Sequence, residues 1–188
     1  LNIALEGMIL SGAFASAAGA SFTGNSWLGI LLAMVIGGLV GMLHAYLCIT
    51  LRVDQLVSGL AINLTTAGLT SFWARILFNS SQAQPLTSIN IIGIPGLKNI
   101  PLVGNLLFNQ DPLVYLLFIL IPLSTYLLFH TSLGLSVRAI GEYPRAADTA
   151  GISVKLVRYI AVTFSGCLAG LGGAYLAFVH VTFFVEVM

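Results

Sequence analysis

Charge is what this sequence has least of. Of 188 residues only 7% are charged, with seven Lys or Arg and six Asp or Glu, against about 25% in an ordinary soluble domain. Apolar residues reach 58%, and the mean hydropathy is +1.02. No water-soluble fold has enough polar surface to cover such a core, so a bilayer is the expected solvent for most of these side chains. The formal net charge of +1 and the lack of a basic tail exclude a nucleic-acid surface.

Other chemistries are missing too. The two cysteines, Cys48 and Cys167, both lie in apolar runs without CxxC spacing or a ligand cluster, so they read as buried free thiols, with no disulfide and no metal site. No GxxxxGK[ST] phosphate loop is present, which removes nucleotide hydrolysis from this chain. No His, Asp and Glu cluster at a usable spacing points to an integral-membrane enzyme. No cofactor is expected. The chain opens on Leu1 and ends on Glu186-Val187-Met188 after an apolar run, and it is expected to be a fragment of a longer membrane protein with spans missing at both ends.

What remains are long apolar segments. A helix needs about 20 residues to cross a hydrocarbon core of about 30 Å. Glycine- and alanine-rich Gly7 to Ala20 supplies 14 and is expected to be short, broken or re-entrant, bounded by the polar turn Ser21-Phe22-Thr23-Gly24-Asn25-Ser26. Trp27 to Thr50, Leu56 to Phe78, Pro112 to Thr131 with a kink at Pro122, and Tyr159 to Val185 complete the set. The fold class is therefore all-α, a polytopic helical membrane protein with about five spans.

Two of these segments carry small residues at four-residue spacing. Ala33, Gly37, Gly41 and Ala45 share a face of one; Gly166 and Gly170, with Ala169 and Gly173, share a face of another. Such faces let backbones approach closely, which in lipid replaces the missing hydrophobic drive. His44 reads as a hydrogen-bonded packing residue. The segment Leu56 to Phe78 is unusually polar, and Asn63, Thr66 and Thr70 fall on one face, where they can line a path for a solute. Glu6 is either at membrane depth facing a cavity or partner, or at the membrane edge. The absence of paired intramembrane charges favours a neutral solute over an ion.

Charge is concentrated between Gly134 and Arg158, where Arg138, Glu142, Arg145, Asp148, Lys155 and Arg158 stand together. With five alternating spans this island and the Arg52-Val53-Asp54-Gln55 hinge lie on one side, and their Lys and Arg content makes that side cytoplasmic. Pro144 suits the first turn of a helix and Gly151 its stop, so Pro144 to Ala150 reads as two turns. So short a helix needs a surface to lie against. Ser153 is expected to cap the next helix. The connection Asn79 to Asp111 contains an extended segment at Ile89 to Pro95, and no chemistry is assigned to it.

The run Arg138-Ala139-Ile140-Gly141-Glu142, with Pro144, Ala146-Ala147 and Ala150-Gly151-Ile152, is followed by Ser165-Gly166, Ala169-Gly170 and Gly173. This pattern resembles the membrane permeases of bacterial ABC importers in the branched-chain amino acid, simple-sugar and nucleoside group. The stretches Asn2-Ile3-Ala4-Leu5-Glu6-Gly7-Met8 and Arg52 to Asn63 resemble its nucleoside and simple-sugar branch. The resemblance implies a single transmembrane permease domain over residues 1–188, with residues 134–158 as its cytoplasmic coupling loop. Gly141, Glu142, Pro144, Arg145, Ala146, Ala147, Ala150 and Gly151 would then meet a cytoplasmic ATP-binding-cassette ATPase. It further implies a second permease subunit, an extracytoplasmic substrate-binding protein, a small-molecule substrate and a multi-pass location in the bacterial cell membrane. The rival reading is a secondary transporter or channel working without an ATPase.

Overall fold

The computed structural model describes residues 2–78, 92–93 and 109–180, and it is that of an all-α membrane protein. Five long helices dominate it: α1 (Leu5–Thr23), α2 (Ser26–Ala45, extended by a π-helical turn at Tyr46–Thr50), α3 (Gln55–Leu77), α4 (Pro112–His130) and α7 (Val154–Tyr175, extended by a π-helical turn at Leu176–His180). Two short helices, α5 (Ser132–Glu142) and α6 (Pro144–Thr149), lie between α4 and α7 in sequence. Within the stretch from Asn79 to Asp111, strand β1 (Ile92–Gly93) pairs antiparallel with β2 (Asn109–Gln110). The rest of the expected Ile89 to Pro95 segment, and the end of the Tyr159 to Val185 run, fall outside the described residues.

Among the described residues three helices, Ser26–Thr50, Pro112–His130 and Val154–Val179, are long and apolar enough to cross a membrane. The expected count of five is therefore not reached on length and composition together. The α1 and α3 helices are long, but Gly, Ala and Ser dilute the first, and Ser, Thr and Asn the second.

The chain forms two compact units, Leu1–Ser88 with Ser153–Met188, and Ile89–Ile152. In the first, α1 is longer than its sequence suggests. The hydroxyls of Ser21 and Thr23 bond back to the carbonyls of Ala18 and Gly19 at 2.8 and 2.7 Å, so these polar residues continue the helix instead of ending it. The stop is Gly24, whose φ is +67°, and Asn25 accepts a hydrogen bond from the Trp27 amide at 3.0 Å to start α2.

The core of this unit is built from small residues. Ala4, Ala13, Ala17, Ala33, Ala45, Ala174 and Ala177 are buried, with Met8, Ile30, Ile62 and Phe178 among its larger members. On α2, Gly37 and Gly41 lie against Gly166 of α7, and Gly37 also against Gly170. Gly12 of α1 faces Gly170, and Gly173 faces Ile9 and Ala13. This register sets α2 antiparallel to α1 and α7, while Gly59 beside Ile3 and Asn63 beside Gly7 set α3 parallel to α1. The beginnings of α1, α3 and α7 thus gather with the end of α2. At that end Asn2, His44, Cys48, Gln55 and Arg158 line a cleft of about 350 Å³. Large apolar side chains such as Leu31, Leu39, Leu64 and Phe164 point outward, as lipid contact requires.

In the second unit α4 continues through Pro122. At its end Thr131 accepts a hydrogen bond from the Gly134 amide at 3.2 Å, starting α5. A Cβ on Gly134 would lie 2.5 Å from the Leu128 Cα, so this turn requires glycine. The Arg138 guanidinium sits 4.9 Å above the Phe129 ring.

Candidate functional site

Two places carry the residues singled out in the sequence. The first lies where the start of α1 meets α3. The Asn63 side chain accepts a hydrogen bond from the Gly7 amide at 2.9 Å. Its amide nitrogen donates to the Ile3 carbonyl at 3.0 Å and to Glu6 Oε2 at 3.4 Å. One side chain thus satisfies an orphan donor in the first turn of α1 and the carbonyl just before it. Asn63 stands eight residues into α3, about 12 Å along the helix axis from its start. Glu6 is held at that level.

Glu6, Gly7, Ile9, Leu10, Asn63 and Ala67 line an open cleft of about 480 Å³. Thr66 and Thr70 do not line it. Both are buried, and their hydroxyls donate to the carbonyls one turn back, at Ile62 and Thr66, at 2.8 and 2.7 Å. A Cβ on Gly7 would lie 2.6 Å from Thr66 Oγ1, so Thr66 is turned into the α1–α3 contact. Of the four residues expected along a solute path, the structure brings Glu6 and Asn63 to the cleft and places the two threonines in packing. The partners of Asn63 were not visible in sequence, being 56 and 60 residues away.

His44 is buried, and its Nδ1 is 3.1 Å from Ser58 Oγ, a link between α2 and α3. Cys48 Sγ lies 3.8 Å from both ring nitrogens. The two thiols, Cys48 and Cys167, are free and half-buried rather than buried. Among the described residues no group of three His, Cys, Asp or Glu side chains is placed to hold a metal ion. Gly12 joins the packing face that Gly37, Gly41, Gly166, Gly170 and Gly173 make, and the signal for it was the small-residue run Ser11-Gly12-Ala13.

The second place is α6. Pro144 occupies its first turn, where a missing amide hydrogen costs nothing. Its end is closed by hydrogen bonds from the Ala150, Gly151 and Ile152 amides to the carbonyls of Ala146, Asp148 and Ala147, at 3.1, 3.0 and 3.1 Å. Gly151 makes this closure with φ +83°, a conformation that other residues adopt only with strain. Ala147 is buried, while Arg145, Ala146, Asp148, Thr149 and Ala150 are exposed, as are Gly141 and Glu142 at the end of α5. The expectation for Ser153 needs correction. It stands at the N-cap position of α7, but its side chain makes no capping hydrogen bond.

The second unit thus presents an exposed strip that begins at Gly141, and the first holds a mainly apolar cleft into which Glu6 and Asn63 bring polar groups. Comparison with known proteins gives the family of the chain. The chain is 39% identical over 185 residues to the guanosine ABC transporter permease protein NupQ of Bacillus subtilis, covering 94% of this chain and 58% of that protein. Identity to the nucleoside ABC transporter permease protein NupC of Lactococcus lactis is 39% over 184 residues, with the same coverage. For the putative glucose ABC transporter permease protein TsgC13 of Haloferax volcanii it is 36% over 178 residues, covering 94% and 54%. The chain therefore spans somewhat over half the length of these relatives. No solved structure matches it. Residues 1–187 match the family described as "Branched-chain amino acid transport system / permease component", and the chain belongs to that family.

Proposed function

We propose that this chain is the helical core of a permease subunit in an ATP-binding-cassette importer, moving a small neutral hydroxyl-bearing solute, a nucleoside or simple sugar, by alternating access. ATP is hydrolysed by a separate cytoplasmic subunit. The observation that carries this reading is α6, a helix of six residues with a defined start and stop and one exposed face. Alone it is too short to be stable, and an ATPase cleft is the surface it fits. Small side chains at Ala146 and Ala150 allow insertion, with Arg145 and Asp148 beside them for charge pairing.

The same reading places the hinge at Arg52, the exposed strip and α6 on the cytoplasmic side of a bacterial cell membrane. A second permease subunit completes the pathway, and an extracytoplasmic binding protein delivers the solute. Support for the solute class comes from the relatives, whose names specify guanosine, nucleosides and glucose, and from a cleft with one carboxylate and no paired charges.

Co-purification of the full-length permease with its ATPase tests the docking role. The wild-type chain is expected to retain the ATPase. Ala146→Asp, on the exposed face, and Ala147→Asp are expected to lose it. Retention by both variants overturns the reading.

A further inference from the structure

Resting on the importer reading, we propose that the Glu6 carboxylate selects the solute by accepting hydrogen bonds from two adjacent hydroxyl groups, as in a ribose or an unmodified hexose. The argument proceeds through the hydrogen-bonding capacity of each polar group near the cleft. Thr66 and Thr70 donate to carbonyls of their own helix, so their donor capacity is spent. Asn63 donates to Ile3 and Glu6 and accepts from Gly7, so it clamps α1 to α3. Among the described residues that line the cleft, Glu6 alone brings a charged acceptor, and it is exposed there. Its one hydrogen bond among the described residues is the long contact from Asn63 to Oε2.

A carboxylate can only accept, so the ligand must bring donors. Among the described residues no Lys or Arg lines the cleft, and the remaining lining is Gly7, Ile9, Leu10 and Ala67. Asn63 holds Glu6 about 12 Å along α3 from that helix's start, and on the importer reading that level lies within the bilayer, where an unaccompanied carboxylate is costly. Two O–H donors on neighbouring carbons can address both carboxylate oxygens, while the apolar wall covers the base or the ring face. A solute lacking one of the two hydroxyls leaves one oxygen unmatched, and hydrogen bonds to a charged group are the stronger kind.

The test uses the full-length permease assembled with its ATPase and binding protein in proteoliposomes. Uptake of guanosine is compared with 2′-deoxyguanosine, and of glucose with 2,4-dideoxyglucose, which has no two hydroxyls on neighbouring carbons, in wild type, Glu6→Gln and Glu6→Asp. Wild type is expected to favour the diol-bearing member of whichever pair it transports, by about 10- to 100-fold in kcat/KM. Glu6→Gln is expected to bring that ratio near one by slowing the diol substrate alone, and Glu6→Asp, which keeps both oxygens, to preserve a preference. Because both members are measured on one preparation, the ratio does not depend on how much protein folds.

Equal uptake of both members by wild type overturns the inference, as does a Glu6→Gln ratio unchanged from wild type. An equal loss for both members, or failure of both variants to assemble, assigns Glu6 a structural role and also overturns it. If wild type takes up none of the four solutes, the solute class proposed above fails, and the inference falls with it.

Discussion

Gly37 on α2 and Gly166 on α7 face one another reciprocally. A Cβ built on either would lie 2.5 Å from the carbonyl oxygen of the other, so neither position accepts a side chain without moving a backbone. Gly170 and Gly41 continue the same seam. Packing this close is the main attraction available between helices in lipid. Gly166→Val is therefore expected to destabilise the protein by about 1–3 kcal/mol or more through overpacking, read as a lower thermal midpoint of the full-length permease in detergent. Gly172 lies on the same helix with open space around it, and Gly172→Ala is expected to be neutral or to raise the midpoint slightly. Equal loss in both variants would deny the seam its role.

Asn63 is the polar counterpart of that seam. Asn63→Ala leaves the Gly7 amide and the Ile3 carbonyl without their partner, at a cost of about 1–3 kcal/mol each if no water reaches them. Asn63→Asp can still accept from Gly7 but cannot donate to Ile3, and it adds a like charge beside Glu6. Both variants are expected to unfold at lower temperature than wild type. Proteolysis should then begin within the first turn of α1 in the Asn63→Ala protein; an unaltered cleavage pattern would mean that α1 is held by packing alone.

These two sites differ in how far the sequence could show them. The glycine seam was legible because four-residue spacing is the helical period, so the pattern along one chain segment is also the pattern of a face. Pro144 and Gly151 were legible for a related reason, since each acts on its own backbone. Asn63 was noticed as a polar residue in an apolar run, but its two shorter hydrogen bonds are to backbone groups more than fifty residues away, and any residue type presents those. The threonines could not be sorted in sequence, because a hydroxyl that bonds its own preceding turn looks there like one that faces a path. The same local bonding by Ser21 and Thr23 hid the last turn of α1 behind what read as a break. The shortfall in span count has the opposite origin. The helices at α1 and α3 are present, yet close packing has replaced large apolar side chains with small and polar ones.

At the end of α6 the backbone sets a sharper condition. Gly151 holds φ +83° with nothing within 4 Å of where its Cβ would be, so the constraint is conformational and not one of space. Gly151→Ala is expected to cost about 1 kcal/mol, and Gly151→Val more, because a β-branched residue is a poorer fit to positive φ. The effect should be local. The thermal midpoint of the permease is expected to change little, while its affinity for the ATPase falls several-fold; a midpoint shift without an affinity change would place the strain elsewhere.

The Thr50 and Tyr159 hydroxyls are hydrogen-bonded to each other, and this bond joins the last residue of the π-helical turn after α2 to the start of α7. Thr50 is followed by Leu51 and then by Arg52, whose φ is +57°; Tyr159 follows the end of α6 by ten residues in the chain. A displacement of the chain around Ser153 therefore has a direct polar route to the hinge before α3, besides the buried glycine seam. A net hydrogen bond is worth about 1 kcal/mol, which converts to roughly a fivefold change in an equilibrium. Tyr159→Phe removes the bond and keeps the ring. In proteoliposomes holding the complete importer, it is expected to leave ATP hydrolysis within about twofold of wild type and to lower solute moved per ATP by a few-fold. Thr50→Val should give the same ratio, and the double variant should lose no more than either alone, since both remove one bond. If hydrolysis and transport fall together, the bond supports assembly and not transmission. If neither changes, the glycine seam carries the motion by itself.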